Sequence, residues 1–375
     1  MKRLLLLGGG HAHLFVLEEL ARGALGGADT TLVSATRRQV YSGMVPGMIG
    51  GRYRLAELSF DLPLICRRAG VRFVHDSAVR IRAADRRVEL NAGGDLDYDV
   101  LSVATGSTVQ GSDLPGVRDH AFTVRPIDRA TELTQALERA AAEGGRISAV
   151  VVGGGAAGVE IALAVRSRLA KLGGPGRAAV TLVEAAPGLL GGGAARAEAV
   201  VRHALQQHGV ALRLGTAVAE VTRSAVRLEG RDELPASLVV WATGAAATDL
   251  LRTSGLGRDE RGFLLVDNRL RSVSDAAVFA AGDAATLSSY PATPRAGVYA
   301  VREGPVLRAN LAAACRGEEP PRAYRPQRRF LSLLNTSDGR AIVSYGRLAT
   351  WSRWGMWLKD GIDRRFVRRF QALER

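Results

Sequence analysis

Two stretches of the chain share one order of hydrophobic and polar positions: an apolar run, a group of glycines, an apolar-periodic helix and a second apolar run. The first begins near Arg3, where "LLLLGGGHAHLFVLEELARG" leads to "TTLVS" and ends at Ser34. The second reads "RISAVVVGGGAAGVEIALAVRSRLA" and leads to "AAVTLVE", which ends at Glu184. A buried parallel strand, a tight turn and a helix that packs back on the strand produce this order. The pattern therefore predicts an α/β protein with two strand–loop–helix–strand units.

The second unit has the full G-x-G-x-x-G spacing of a dinucleotide-binding loop, with Gly153, Gly155 and Gly158. The first glycine permits the turn, the second lets the backbone approach a pyrophosphate, and the third lets the helix pack close to the strand. The free amides of the helix N-terminus then face the phosphates. Glu184 closes the next strand, where a carboxylate binds ribose hydroxyls and repels a 2′-phosphate, so NADH is favoured over NADPH. It comes late after the loop because "LGGPGR" lengthens the connection.

The first unit departs from that spacing. Gly8 and Gly10 are present, but His13 stands at the third glycine position. We expect His13 to push the helix slightly outward or to turn its imidazole toward the ligand, with a neutral ring because helix amides disfavour the protonated form. The next strand ends at Ser34 in place of an acid. The arginine pair beginning at Arg37 either holds a phosphate or adenine or lies on the surface.

Three further apolar runs end in short motifs, "LSVATGS", "LVVWATGAA" and "AAVFAAGD", where the chain either passes a bound cofactor or simply turns. The residues concerned are Ala104, Thr105, Gly106, Ala242, Thr243, Gly244, Gly282 and Asp283. A carboxylate such as Asp283 can accept hydrogen bonds from the ribityl hydroxyls of a flavin. The helix that begins near Gly297 would direct its positive N-terminal end at the N1–C2=O edge of the flavin and stabilise the reduced anion.

Composition narrows the class of protein. The chain has 375 residues and a formal net charge of +14, which suits two or three domains and either an anionic ligand or surface or a genome-wide arginine bias. Cys66 and Cys315 belong to no C-x-x-C motif, which argues against a zinc ribbon, an iron–sulfur cluster and a redox disulfide local in sequence. "MKRLLLL" is too short for a signal peptide, and no run approaches the ~20 apolar residues of a membrane span. We expect a reducing compartment, no metal site and no nucleic-acid partner.

Together these residues resemble the FAD-dependent pyridine nucleotide–disulfide oxidoreductase superfamily over about residues 3–315. The order GGG…ATG…GGGAAG…E…ATG…AAGD carries the resemblance. Within the superfamily the chain looks like the type II NADH dehydrogenase branch. "GGGHAH", "YSGMVPGMIGG" and "PRAGVYAVREGPVLRANL" are similar to a subfamily sometimes fused ahead of selenide, water dikinase. The resemblance implies two Rossmann-like domains, with a FAD domain of residues 1–120 and 250–315, an inserted NAD(P)H domain of residues 121–249, and a C-terminal region of residues 316–375.

The resemblance also implies the site. FAD would lie in the first half and NADH, less readily NADPH, in the second. Glu160, early on the second glycine-loop helix, would position the nicotinamide and is the candidate catalytic residue. "YSGMVPGMIGG", residues 41–51, would lie along the isoalloxazine and line the acceptor pocket, or form a flexible surface loop. The predicted cofactor-binding residues are Gly8, Gly10, His11, His13, Ser34, Arg37, Tyr41, Ser42, Gly43, Pro46, Val79, Ala104, Thr105, Gly106, Gly153, Gly155, Gly158, Glu184, Thr243, Gly244, Gly282, Asp283 and Gly297.

The C-terminal region has a different pattern. "RPQRRFLSLLNTSDGRAIVSYGRLA" predicts two strands around a turn at residues 337–339. The last segment is basic and places its apolar residues at helical spacing: Trp351, Trp354, Trp357, Ile362, Phe366 and Phe370. Such a helix lies on an anionic membrane surface, here through residues 351–370, or packs on its own domain or a partner subunit. Gly355 and Gly361 weaken the prediction of one continuous helix.

These features predict an enzyme, a flavoprotein that takes hydride from NADH to FAD and passes two electrons to an acceptor. A quinone is the favoured acceptor, because neither cysteine supports disulfide or sulfide chemistry beside the flavin. Two alternatives stay open: a flavin reductase serving selenium or sulfur metabolism, and a non-catalytic FAD/NADH redox sensor. We expect a cytoplasmic protein, peripheral on the inner membrane face if the tail binds lipid, and a homodimer remains open.

Overall fold

Two parallel sheets, each containing one of the glycine loops, form the body of the structure. The computed structural model describes residues 1–23, 27–125, 129–174 and 176–375. Pro175, in the connection predicted to delay Glu184, lies outside the described residues. The α-helices are α1 (His11–Ala21), α2 (Val45–Ile49), α3 (Leu62–Arg68), α4 (Val117–His120), α5 (Arg129–Ala142), α6 (Ala156–Gly173), α7 (Ala195–Gln207), α8 (Asp249–Arg252), α9 (Gly297–Arg316) and α10 (Arg353–Gln371).

The strands of the first half and of the second half follow in chain order. They are β1 (Arg3–Leu7), β2 (Asp29–Ser34), β3 (Arg38–Val40), β4 (Ser59–Asp61), β5 (Arg72–His75), β6 (Ala78–Arg82), β7 (Arg87–Leu90), β8 (Asp95–Asp97), β9 (Val100–Val103), β10 (Thr108–Val109), β11 (Ala121–Thr123), β12 (Ile147–Val152), β13 (Ala178–Glu184), β14 (Val210–Leu214), β15 (Val218–Val221), β16 (Ala225–Leu228), β17 (Glu233–Pro235), β18 (Leu238–Trp241), β19 (Ala245–Ala246), β20 (Leu264–Val266), β21 (Val278–Ala280), β22 (Ala285–Leu287), β23 (Ser332–Asn335), β24 (Ala341–Tyr345) and β25 (Leu348–Ser352).

The first sheet has the strand order β21–β9–β1–β2–β5 and the second has the order β11–β18–β12–β13–β14, with parallel neighbours throughout. Their central strands read as unbroken apolar runs because both faces are covered, in the second sheet by helices α5 and α6 and by the antiparallel strands β15–β17. Leu4 to Leu7 and Ala149 to Val152, for example, are all buried. The predicted α/β class with two Rossmann-like units is confirmed. Strand β21 joins the first sheet only after the second sheet is complete, so the second unit is inserted in the first, while the predicted domain boundaries stay a prediction.

The segment 41–51 is not a surface loop. Residues Ser42–Met44 form a 3₁₀ turn, and α2 follows with every residue from Val45 to Ile49 buried. Glycines let this helix pack closely: a Cβ on Gly47 would overlap the ring of Tyr53, and one on Gly50 would lie 2.7 Å from the hydroxyl of Ser337. The alternative of a flexible loop is therefore wrong.

The C-terminal region is a three-stranded antiparallel sheet, β23–β24–β25, followed by α10. The two predicted strands are present, but a third, β25, contains Trp351, which pairs with Ile342. The helical spacing assigned to Trp351 is thus wrong, because strand pairing overrides it. The two glycines do not interrupt α10, whose N-terminus is capped by Ser352 Oγ accepting from the Gly355 amide at 3.2 Å.

Helix α10 packs on the protein's own first half. Its buried residues are Gly355, Met356, Lys359, Asp363, Val367 and Phe370. The Phe370 ring meets Phe15 of α1 at a centroid distance of 4.9 Å. On the opposite face, 54% of Trp354 and 79% of Trp357 are exposed. Among the described residues, no helix combines the length and the apolar character that crossing a membrane requires.

Candidate active site

A cleft of about 1160 Å³ is lined by residues of both glycine-loop units and of the C-terminal region. Ten of the predicted site residues line it: Tyr41, Ser42, Gly43, Gly153, Gly155, Glu160, Glu184, Thr243, Gly244 and Gly297. Loops after the carboxyl ends of parallel strands meet here, which is where α/β sheets bind ligands. Its volume is in the range of small-molecule and cofactor sites or above it.

The second glycine loop packs against the residues that follow β18, the neighbouring strand of β12 in the sheet. Gly153 has φ +114°, and a Cβ there would overlap the carbonyl oxygen of Ala242. A Cβ on Gly158 would overlap the carbonyl oxygen of Gly153, so α6 can approach this close only with glycine at that position. Gly155, in contrast, has open space where its side chain would be, and it caps α6 at the edge of the cleft. The loop therefore leaves room for a phosphate in front of the helix amides.

Glu184 lies beside this loop, as predicted. Its carboxylate accepts hydrogen bonds from the backbone amides of Gly154, at 2.5 Å, and Ala186, at 2.8 Å. Thr243 on the opposite side of the loop donates its hydroxyl to the carbonyl of Gln110 at 2.6 Å. The two amide hydrogen bonds hold the Glu184 carboxylate at the mouth of the cleft, where ribose hydroxyls of a dinucleotide can reach it.

The first glycine loop makes the same turn, but a histidine side chain stands at the third position of its pattern. Gly8 has φ +86°, and a Cβ there would lie 2.7 Å from the carbonyl oxygen of Ala104. A Cβ on Gly10 would overlap the same oxygen. Only glycine at both positions permits this approach, so the "ATG" segment presses against the loop here as Ala242 does in the second half.

His13 fills the space that glycine leaves in the second loop. Its Nδ1 lies 2.6 Å from the Gly8 carbonyl oxygen and its Nε2 lies 2.8 Å from Ser102 Oγ on β9. Because a carbonyl only accepts, Nδ1 carries the proton and the neutral Nε2 accepts from the serine. Burial lowers the pKa of His13 to about 4, so the predicted neutral ring follows from desolvation before any effect of helix amides. The fully buried imidazole packs between the loop and β9.

His11 begins α1 and is nearly buried. Its ring packs edge-on against Tyr41 at a centroid distance of 5.4 Å and lies 5.9 Å from Phe366. Burial lowers its pKa to about 4. Its Nε2 has no hydrogen-bond partner among the described residues. A buried nitrogen at a helix N-terminus without a partner fits a position at which a bound cofactor supplies one.

Asp283 follows the first sheet's last strand, as the flavin interpretation requires. Its Oδ2 accepts from the guanidinium of Arg125, which belongs to the second half, and from Ser107 Oγ at 3.4 Å. Behind it, the Gly282 amide donates to Glu303 Oε2 at 2.6 Å, and burial raises the pKa of Glu303 to about 7. The N-terminus of α9 lies next to Ser42, because a Cβ on Gly297 would be 3.1 Å from that hydroxyl. The N-terminus of α9 and Ser42 thus lie at one end of the cleft, and Asp283 contacts the cleft-lining Arg125 from behind.

The sequence did not identify a buried polar network from α10. Lys359 Nζ donates to the Gly43 carbonyl at 2.8 Å and to Asp363 Oδ2 at 2.9 Å, and the Tyr41 hydroxyl donates to Asp363 Oδ1 at 3.2 Å. Burial raises the pKa of Asp363. Although burial lowers the pKa of Lys359, the carboxylates of Glu160 and Asp363 raise it above its usual value. The side chains of Tyr41, Glu160, Lys359 and Asp363 all line the cleft.

Glu160 faces this network from α6. Its Oε1 accepts from the Asn335 amide at 2.7 Å. Burial raises the pKa of Glu160 to about 7, against the opposing effect of Lys359. A carboxyl group with this pKa can hold or release a proton near neutral pH.

Other predicted residues do not line the cleft. Ser34 bonds its own turn through the Thr36 carbonyl at 2.9 Å, Arg37 is exposed, and Val79 on β6 is 45% exposed. Pro46 is buried within α2. The remaining predicted site residues also do not line the cleft: Gly8, Gly10, His11, His13, Ala104, Thr105, Gly106, Gly158, Gly282 and Asp283. Of these, Gly282 and Asp283 line a separate small pocket.

The two cysteines are far from this chemistry. Cys66 is buried in α3 and Cys315 lies near the end of α9, and both are free thiols. Burial raises the pKa of Cys66 to about 12 and that of Cys315 to about 11. Neither thiol lines the cleft.

Two parallel sheets, each followed by a glycine loop, and a cleft lined by residues of both halves define a protein with two dinucleotide sites. The chain belongs to the pyridine nucleotide-disulphide oxidoreductase family, whose pattern matches residues 2–304. Members of this family are oxidoreductases that use FAD and NAD(P)H.

Relatives of known name agree with that assignment. A NADH dehydrogenase-like protein of Mycobacterium tuberculosis is 36% identical over 225 residues, which are 58% of this chain and 56% of the relative, so the match spans about half of that protein. A type II NADH:quinone oxidoreductase of Staphylococcus aureus is 25% identical over 98% of this chain and 95% of its own length. The fold is similar to that of the sulfide:quinone oxidoreductase of Aquifex aeolicus, with a TM-score of 0.82, 17% identity, and coverage of 100% of this chain and 92% of the other.

Proposed function

We propose that this protein is a FAD-dependent NADH oxidoreductase that passes electrons to a quinone. The observation that carries the proposal is the shared cleft, which joins the second glycine loop and Glu184 to the Tyr41–Gly43 segment and α10. A nicotinamide from one half and a flavin from the other can meet only in such a shared space. The named relatives in Mycobacterium tuberculosis and Staphylococcus aureus support the same function.

The residues of each half fit the proposed cofactor. In the first half, the close-packed Gly8–Gly10 turn, the unpartnered His11 Nε2 and Asp283 would hold FAD. In the second, Gly155, the α6 amides and Glu184 would hold NADH. When bound, FAD supplies the two-electron chemistry that links the nicotinamide to the acceptor. The chain itself supplies position, because both loops are fixed by backbone contacts.

The buried network supplies proton control. Reduction of a quinone by NADH consumes one proton, as NADH + H⁺ + quinone gives NAD⁺ + quinol. Glu160 can hold that proton at Oε2, since Oε1 accepts from Asn335 and its pKa is about 7. Lys359 keeps the neighbouring Asp363 in place through their 2.9 Å ion pair. Glu160 is therefore proposed as a proton-holding residue beside the nicotinamide.

A lipophilic acceptor suits the far wall of the cleft. Apolar side chains from the C-terminal region line it: Phe330, Leu331, Leu333, Ile362 and Phe366. Leu331 is 40% and Ile362 is 46% exposed, so the apolar wall reaches the surface. The cysteines lie elsewhere, which supports direct transfer from the flavin to a quinone without a disulfide.

The experiment is stopped-flow mixing of FAD-loaded protein with NADH and with NADPH, followed by an acceptor screen. We expect NADH to bleach the flavin band at about 450 nm, and a quinone to restore it. A Glu160→Gln variant should slow quinone turnover by about tenfold or more and flatten the pH profile near neutrality. A flavin band that persists under excess NADH and NADPH would refute the proposal. Turnover with selenium or sulfur compounds alone would favour a different acceptor.

We also propose that the exposed face of α10 binds an anionic membrane surface. Trp354 and Trp357 are exposed beside Arg353, while the opposite face of the same helix is anchored in the protein. A Trp354→Ser/Trp357→Ser double variant should lose sedimentation with phosphatidylglycerol vesicles, because interfacial tryptophans supply much of such binding. Leu172→Ser removes an exposed apolar residue from α6 and is the control. Equal sedimentation of all three proteins would contradict membrane binding through this face.

A further inference from the structure

Besides Arg125, which pairs with Asp283, three of the described arginines line the cleft: Arg261, Arg295 and Arg302. Arg261 precedes β20 and Arg295 lies two residues before α9. None has been assigned a role by the sequence patterns or by the proposed reaction. Their partners show whether they are ordinary surface charges.

Arg295 is buried and incompletely paired. Its side chain is 9% exposed, and its guanidinium carbon lies 3.4 Å from the ring centroid of Phe263. Its Nη2 donates to the Thr286 hydroxyl and lies 3.5 Å from the Asp259 carboxylate, which also accepts a 2.7 Å hydrogen bond from Thr286. The Nε of Arg295 has no hydrogen-bond partner among the described residues. One long ion pair and one hydroxyl contact only partly offset the positive charge of this guanidinium, so a second anion beside it would stabilise the side chain.

Arg261 brings a second positive charge to the same place. Its Nη2 donates to the Ala245 carbonyl at 3.0 Å, and its guanidinium carbon is 5.5 Å from the same Phe263 ring. Within the described part of the chain, no carboxylate lies within ion-pair distance of Arg261 or Arg302. Burial and the proximity of Arg261 both lower the pKa of Arg295. An arginine cannot relieve this repulsion by losing its proton at neutral pH.

We propose that Arg261 and Arg295 form an oxyanion-binding subsite in the cleft wall, which takes a phosphate, carboxylate or sulfonate group of a ligand. Two guanidinium groups present planar sets of donors that match the oxygens of such groups. The N-terminus of the 20-residue helix α9 follows Arg295 directly and adds positive potential.

The oxyanion can come from two sources. One is a phosphate of a bound dinucleotide, and the other is an acidic group on the electron acceptor. Only the second source depends on the proposed function. The first step of the test therefore uses inorganic pyrophosphate and requires no turnover.

Isothermal titration with pyrophosphate, on the protein with FAD bound and with FAD removed, should detect the subsite. We expect Arg261→Gln to weaken binding by about tenfold, the effect of losing one charge-assisted contact. Arg261→Lys should restore part of the affinity, since it keeps the charge without the planar donors. Arg258→Gln is the matched control: it is an exposed arginine three positions away that does not line the cleft. Its affinity should match that of the unaltered protein.

The same variants identify the source of the oxyanion. Titration with FAD and with NADH shows whether either dinucleotide loses affinity in Arg261→Gln. KM values for a naphthoquinone with and without a sulfonate group test the acceptor, and only the sulfonated compound should respond. If no flavin reduction occurs in the unaltered protein, the proposed function fails while the pyrophosphate result still stands.

Two results would overturn the subsite. One is equal pyrophosphate affinity in Arg261→Gln, Arg258→Gln and the unaltered protein. The other is an equal rise of KM for neutral and sulfonated naphthoquinones, which would indicate general damage to the cleft. Arg295→Gln is a second probe, and circular dichroism establishes whether removing its contact with Phe263 leaves the fold intact.

Discussion

The two glycine loops each bring a helix against a strand-to-helix turn, but the third position of the pattern makes a different contact in each. In both, the first glycine has positive φ, +86° at Gly8 and +114° at Gly153, and an alanine carbonyl from the neighbouring strand blocks any side chain. In the second loop, Gly158 lets α6 approach until a Cβ would overlap the Gly153 carbonyl. In the first, His13 occupies that position and hydrogen-bonds the Gly8 carbonyl at 2.6 Å.

The difference shows which glycines of the pattern are required by backbone geometry and which by packing. Positive φ and the adjacent carbonyl leave no alternative at the first position. The third position only has to satisfy the contact between helix and turn, and a buried side chain with the right donor does that as well. The loop with histidine is therefore a variant in which a hydrogen bond replaces close backbone packing.

The largest effect is expected for Gly158→Ala. The added methyl group has no space against the Gly153 carbonyl, so α6 must shift, at a cost of about 1–3 kcal/mol or more. We expect NADH binding to fall by tenfold or more, measured by isothermal titration, and the melting temperature to drop. FAD content should be unchanged, because the first loop is untouched. Normal NADH affinity in this variant would show that the close approach is not needed.

His13→Gly should have a smaller effect, on stability rather than chemistry. It leaves the Ser102 hydroxyl and the Gly8 carbonyl without their partner, which costs about 1–3 kcal/mol but does not move the helix. We expect a lower midpoint in urea unfolding with FAD retained and turnover near normal. His13→Asn, which keeps a donor and an acceptor, should recover part of the loss. Loss of FAD at unchanged stability would instead assign His13 to cofactor binding.

The lowered pKa of His13 predicts that the free energy of unfolding depends on pH. Its pKa falls from 6.5 to about 4 in the folded state. The neutral form is thus favoured by folding, and its contribution is full above pH 6.5 and is lost as the pH falls toward 4. Over that range the unaltered protein should lose up to about 3 kcal/mol more than His13→Asn. The difference between the two unfolding curves is the measurement, since it cancels the contributions of His11, Glu160 and Glu303. Parallel curves would contradict it.

The repeated units were predictable because their signals are local. An apolar run that ends in glycines predicts both the strand and the turn, and Glu184 follows from its place at the end of the next strand. Glu160 came from the family resemblance. The buried network was not predicted, because Lys359 and Asp363 look like an exposed i,i+4 pair. A usable signal exists: they continue the stripe Met356, Val367 and Phe370 at spacings of three and four, so the same face that packs on the protein carries both charges.

For segment 41–51, the flexible-loop alternative was wrong for a related reason. Its four glycines suggested mobility, whereas Met44, Val45, Met48 and Ile49 lie at helical spacing and are all buried. Glycines in a buried helix permit close contact with Tyr53 and Ser337, and a sequence pattern does not show which partner approaches. Trp351 was misplaced because it pairs with Ile342 in the β24–β25 hairpin, and this pairing overrides helical periodicity.

Glu184 and Ser34 end equivalent strands, and the comparison predicts unequal effects. Glu184→Ser removes the negative charge that would repel a 2′-phosphate and the acceptor of two backbone amides. We expect the preference for NADH over NADPH to fall by about tenfold, roughly the loss of one charge-assisted contact. The ratio of kcat/KM for the two nucleotides measures it. An unchanged ratio would place nucleotide selection elsewhere in the cleft.

Ser34→Ala should have the smallest effect of the series. The Ser34 hydroxyl donates to the Thr36 carbonyl at 2.9 Å and accepts from the Thr36 amide, so both of its bonds stay within its own turn. Removing them costs about 0.5–1.5 kcal/mol of stability and leaves no charge uncompensated. We expect FAD affinity within twofold of the unaltered protein, measured by flavin fluorescence titration. A larger loss would mean that the hydroxyl leaves its turn to bind the cofactor, and the two strand ends would then act alike despite their different residues.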